Sequence, residues 1–256
     1  MNHFFRQVAD PMKQFEIQKW FELPTVFGYD ISFTNASGFM LLGVAMIILF
    51  FGYAASRGAI IPNRLQSLGE IGYGFVADMI RGTAGEEGLR FFPFVFTLFF
   101  FIFFANMIGM VPYAFTTTSH VVVTGALALL VIGIVIGYGF YKNGLGFLRL
   151  FAPAGAPWPI YILLIPIEVI SFVARPLTLA LRLFANMLAG HIMLKLFAGF
   201  AFTGLTAGGI GLLVAPLAFG MGVALNALEF LVAGLQAYVF AILTCVYLND
   251  ALHPAH

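Results

Sequence analysis

Glu168, Arg175 and Arg182 stand seven residues apart in a run otherwise rich in leucine, isoleucine, phenylalanine and alanine, and His191 and Lys195 follow in the same run. At about 100° per residue, positions seven apart fall within roughly 20° on a helix, so one face carries all three charges. Ser171, Thr178 and Asn186 fall near the same stripe. An arginine keeps its proton at any working pH, so it binds or repels charge but cannot relay a proton by losing one. A histidine beside a carboxylate is the opposite case, because burial and mutual charge tune both groups for proton handling. His191 follows Arg182 by nine residues, which puts it roughly opposite on a straight helix and about 13–14 Å further along. That offset points to a separate aqueous path.

A second apolar run carries Asn226, Glu229 and Gln236 on one face, at intervals of three and seven. Paired as a hairpin with the first run, it is expected to bring Glu229 near His191 and Gln236 near Arg182. Plainer readings stand beside these. Arg175 and Lys195 fit side chains that snorkel to an interface. Arg182, or the His191–Glu229 pair, also fits a purely structural buried ion pair. Asn106 reads as helix glue. His191 has no second histidine four residues away, so no metal spacing is present, and no phosphate loop, nucleophile elbow or dinucleotide fingerprint occurs.

These groups need a medium and elements to hold them. Hydrophobic residues make up 61% of the 256-residue chain and charged residues 9%, against about 25% charge in ordinary globular proteins. The chain therefore reads as an all-α integral membrane protein of about five or six helices. A net charge of +1 implies no nucleic-acid partner. Cys245, the single cysteine, lies in an apolar run and reads as packing.

No charge falls between Asp30 and Arg57, between Arg90 and Lys142, or between Lys195 and Glu229. A spanning helix takes roughly 20 apolar residues, so spans are expected at about 38–56, 91–112 and 120–141. Residues 57–90 read as an amphipathic helix at the membrane surface, and residues 1–35 as an N-terminal interfacial segment ahead of a membrane domain over 36–256. In that segment Asp10 is a candidate helix N-cap with Pro11 behind it, and Met12, Phe15, Trp20 and Phe21 form an apolar flank. The apolar runs 158–197 and 210–248 are each far longer than a bilayer core. They must either break in two or lie strongly tilted, with Pro166, Pro176 and Pro216 allowing kinks and "TGLTAGGIG" turning the hairpin. The arginines of 57–90, with Lys142 and Arg149, put those two loops inside and the N-terminus outside.

"LRLFANMLAGH" followed by "LQAYVFAILTCVYL" closely resembles subunit a of the F-type ATP synthase, the stator of its proton channel, and "PMKQFEI" resembles the start of alphaproteobacterial and mitochondrial members. The resemblance covers nearly the whole chain. It implies that Arg182 is the fixed charge that drives deprotonation of a passing ring carboxyl and prevents leak. Asn186 matches an asparagine one turn on, and Gln236 a glutamine facing the arginine. His191 and Glu229 match a pair lining the half-channel open to the outside, in the order opposite to that of many bacterial members. Glu168, Ser171 and Thr178 match polar positions near the half-channel open to the inside, where Ala174 replaces a serine of some members. Arg175 matches a basic position of lesser weight. The implied partners are c-ring subunits, peripheral-stalk b-type subunits, membrane lipid and protons, with no cofactor and no catalysis by this chain alone. The implied setting is a bacterial inner membrane with a periplasmic N-terminus, the mitochondrial inner membrane remaining open. The alternatives are a secondary transporter, which calls for two related halves that this chain lacks, and an intramembrane enzyme or haem protein, for which His191 alone is insufficient.

Overall fold

A computed structural model describes residues 17–21, 32–56, 58, 61–111, 114–151, 158–209 and 211–253. In chain order these form β1 (Lys19–Phe21), β2 (Phe33–Thr34), α1 (Asn35–Ser56), α2 (Arg64–Gly88), α3 (Phe92–Gly109), α4 (Val121–Asn143), α5 (Trp158–Ala207) and α6 (Gly211–Leu252). Among the described residues, five helical stretches are long and apolar enough to cross a membrane: Asn35–Ser56, Arg64–Gly109, Val121–Asn143, Ile160–Thr206 and Gly211–Leu252. The chain is an all-α, multi-pass membrane protein. Helices suit this medium because each satisfies its own backbone hydrogen bonds where no water can.

The expected spans agree with α1, α3 and α4 to within a few residues. Residues 57–90, expected as an amphipathic helix, contain α2, whose N-cap Asn63 accepts the Arg64 amide at 2.7 Å. α2 buries Val76, Ala77, Met79 and Ile80 while exposing Arg64, Glu70, Asp78 and Arg81. At the N-terminus the expected helical flank is corrected at one point. Lys19–Phe21 is a strand, antiparallel to Phe33–Thr34, with Lys19 opposite Thr34. Asn35 explains the pairing: its Oδ1 accepts both the Gln18 and Ala36 amides, at 3.2 and 2.9 Å, so one side chain ties the strand to the start of α1. Asp10, Pro11, Met12 and Phe15 lie outside the described residues.

α5 and α6 answer the question left by the long apolar runs. Each is a single helix, of 50 and 42 residues, with its prolines inside it. At 1.5 Å per residue both exceed a hydrocarbon core of about 30 Å, so they cannot stand upright in it. Between them Gly208 and Gly209 adopt φ of 66° and 59°, the left-handed region open to glycine at little cost.

The chain divides into two compact units, residues 1–45, 103–120 and 183–236, and residues 46–102, 121–182 and 237–256. In the first, Phe39 packs on Phe115 with ring centroids 6.3 Å apart. There the fully buried Asn106 donates to the Ala233 carbonyl at 3.1 Å, the helix-glue role its sequence setting suggests. The core of the second gathers Phe51, Phe96 and Phe100, with Phe51 edge-on to both partners at 4.8 and 4.6 Å. Val76, Val95, Val131, Phe240 and Cys245 are fully buried there. Asn143, at the end of α4, donates to the Ala251 carbonyl near the end of α6 at 2.7 Å.

Candidate functional site

The Gly208–Gly209 turn folds α6 back along α5, and the resulting register sets His191 against Glu229. His191 Nδ1 lies 2.5 Å from Glu229 Oε1, with the two side chains 7% and 6% exposed. The expected pair is therefore formed, and it is buried. Glycine at 190 gives the carboxylate its space, since a Cβ there would meet Glu229 Oε1 at 2.7 Å.

The other edge of the imidazole is held too. His191 Nε2 lies 2.7 Å from the Gly109 carbonyl at the end of α3 and 2.9 Å from Thr116 Oγ1. A carbonyl oxygen only accepts, so Nε2 carries a hydrogen and the tautomer is fixed by its partner. Thr116 donates its own hydroxyl hydrogen to the same carbonyl at 3.3 Å. Thr117, Thr118 and Ser119 beside it are buried as well. Glu229 Oε2 and Thr118 Oγ1 are buried without a hydrogen bond among the described residues.

One to two turns along the hairpin, Asn186 Nδ2 donates to Gln236 Oε1 at 3.3 Å. Gln236 is buried, whereas Asn186 is on an exposed face. The register that unites His191 with Glu229 thus gives Gln236 the asparagine as its hydrogen-bond partner.

In the second unit Arg175 lies between two carboxylates, 3.8 Å from Glu168 Oε1 and 3.8 Å from Asp250 Oδ2. These are loose, part-exposed pairs, and the spacing of seven explains the first of them. Thr178 turns its hydroxyl back to the Arg175 carbonyl at 2.8 Å, and Ser171 is half-buried on the same helix. Arg182 presents its side chain on an exposed face of α5 and forms no ion pair among the described residues. Apolar neighbours Val173, Leu177 and Leu181 are exposed with it.

A family profile, "ATP synthase A chain", matches residues 38–249. The chain belongs to this family. It is 73% identical over 244 residues to ATP synthase subunit a of Hyphomonas neptunium, covering 95% of this chain and 96% of the relative. It is 60% identical to ATP synthase subunit a of Maricaulis maris, covering 97% and 99% of the two chains, and 58% identical to that of Azorhizobium caulinodans, covering 97% and 99%. The span matched to the ATP synthase A chain family contains both elements of the buried pair, as well as Gly109, Thr116 and Arg182; Asp250 falls one residue beyond it.

Two groups of the site in this family member were not singled out from sequence. Thr116 sits in "FTTTSH", a hydroxyl-rich segment that reads as an ordinary loop until the fold buries it against His191. Asp250 lies near the C-terminus, where an acid looks like a solvated end. The signal available for Thr116 was four consecutive hydroxyl residues, Thr116–Ser119, next to a span otherwise lacking polar side chains except Thr97 and Asn106.

Proposed function

We propose that this chain is the stationary proton-conducting subunit of an ATP synthase membrane sector, working against a rotating ring of c subunits in a bacterial inner membrane. The observation that carries this reading is Arg182, a permanent cation exposed without an ion-pair partner among the described residues, in the middle of an apolar 50-residue helix. A charge at membrane depth costs roughly 2.5–3.5 kcal/mol by insertion scales, and such groups ordinarily face a bundle interior or a partner. An outward-facing arginine amid exposed leucines calls for an anionic group on a neighbouring subunit, and a carboxyl on a passing ring supplies one.

The mechanism follows from the charge. A ring carboxyl travels through lipid protonated, because ionisation there is too costly. Beside the guanidinium its carboxylate form is favoured, its pKa falls, and the proton leaves. Low dielectric around the pair strengthens that effect. The same fixed charge repels free protons and blocks a direct hop between the two half-channels. His191 with Glu229 serves one half-channel, and Glu168, Ser171 and Thr178 serve the other, with Asn186 and Gln236 as further polar groups of the proton path. The membrane potential contributes about 2.3 kcal/mol per charge per 100 mV. This chain performs no catalysis itself; the ring's rotation is passed to a catalytic sector, while peripheral-stalk b-type subunits hold this chain still.

The test is Arg182→Ala in the purified complex reconstituted into vesicles. ATP-driven acidification should vanish while subunit composition stays normal. Coupled pumping at the wild-type rate would overturn the reading.

A further inference from the structure

We propose that Thr116 is a positioning residue of the proton path and that the transferred proton crosses at the Glu229 carboxyl rather than through the His191 ring. The inference rests on the reading of the His191–Glu229 pair as part of that path.

A histidine relays a proton through its ring by taking it at one nitrogen and releasing it at the other. Nε2 of His191 faces the Gly109 carbonyl at 2.7 Å and the Thr116 hydroxyl at 2.9 Å. Neither group takes up a proton at working pH, so the ring is closed as a relay on that edge. Thr116 reinforces the closure: it donates to the Gly109 carbonyl at 3.3 Å and offers a lone pair to the Nε2 hydrogen. Its hydroxyl thus braces both the imidazole and the carbonyl that holds it. The ring's other hydrogen is then held on the opposite edge, where Nδ1 meets Glu229 Oε1, and the transferred proton is left to the free oxygen of the carboxyl.

The remaining oxygen of that carboxylate, Oε2, is buried and makes no hydrogen bond among the described residues. A hydrated proton arriving there forms an O–H bond with an Oε2 lone pair as its bond to water breaks, the electron pair staying on the water oxygen. The new O–H bond then breaks toward the next acceptor. His191 acts throughout as the counter-charge that keeps the carboxyl from holding the proton too tightly. Among the described residues of the first unit, the titratable groups on the elements around the imidazole are Glu229 on α6, Lys195 on α5 and His120 in the segment carrying Thr116; α3 carries none.

The experiment measures proton flux through the reconstituted complex as a function of pH on the side that feeds the pair. Thr116→Val keeps the shape and removes the hydroxyl. Flux should fall roughly fivefold, the factor given by about 1 kcal/mol for one hydrogen bond. The alkaline limb of the profile should move to lower pH, because the imidazolium loses an acceptor. Thr116→Ser should restore both. His191→Gln, which still donates a hydrogen bond but cannot relay, should keep measurable flux where Glu229→Gln shows none. A Thr116→Val profile matching wild type, failure of serine to rescue, or equal loss in His191→Gln and Glu229→Gln would overturn the inference. Full flux in Glu229→Gln would instead remove the pair from the path altogether and sink the reading beneath it.

Discussion

Gly190 and Glu229 approach so closely across the α5–α6 hairpin that a β-carbon at residue 190 would lie 2.7 Å from the carboxylate oxygen that also meets His191. The buried pair therefore depends on a residue with no chemistry of its own. Glycine inside a helix ordinarily weakens it by about 1 kcal/mol relative to alanine. Here the missing side chain is the room in which the acid sits.

Gly190→Ala should consequently raise local helix propensity yet displace Glu229. Vesicles carrying this variant should show ATP-driven acidification slowed by tenfold or more, with normal assembly. An unchanged rate would mean that the carboxylate moves aside without loss.

His191 and Glu229 work as a unit in this arrangement, so their effects should not add. Exchanging the two residues together, with glutamate at 191 and histidine at 229, should retain more flux than either His191→Ala or Glu229→Ala. The comparison is made by proton flux in matched vesicle preparations. A double exchange worse than both single changes would show that the two groups act separately.

His120 provides a pH handle outside the spans. Its ring stacks on Phe115 with centroids 4.9 Å apart, and burial lowers its pKa from the ordinary value of 6.5. The unfolded chain then takes up a proton more readily than the folded one. Stability is fully present above pH 6.5 and declines as pH falls from that value toward the lowered folded pKa. Melting temperature in detergent should drop between pH 7.5 and 5.5 in wild type, and His120→Gln should flatten that drop. An equal drop in both proteins would assign the acid sensitivity elsewhere.

What could be read from sequence follows the cost of each group in lipid. Charges at membrane depth are expensive, so Glu168, Arg182, His191 and Glu229 stand out against their surroundings, and helical spacing orders them. Hydroxyls are cheap because they can bond the backbone of their own segment, as Ser119 does to the Thr116 carbonyl at 2.6 Å. Thr116 therefore gave little warning of its place beside His191. Carbonyl partners such as Gly109 carry no signal at all, since every residue has one. The hairpin was legible from its glycines and its register in part: His191 was expected beside Glu229, as found, whereas the bond from Asn186 to Gln236 was not, because the fine phase of two helices depends on the turn's backbone angles. Continuity of α5 past Pro166 and Pro176 was likewise open, because proline permits a kink without requiring the helix to end.

The Gly208–Gly209 turn has a mechanical corollary. Loops usually tolerate insertions well, but this one sets the angular timing of two helices like the offset between meshed gears. One added residue that extended α6 would rotate every later side chain by about 100° relative to α5. Glu229 would then face away from His191, although no functional residue had been altered. In this chain the number of residues in the turn is as much a determinant of the buried pair as the identity of the acid itself.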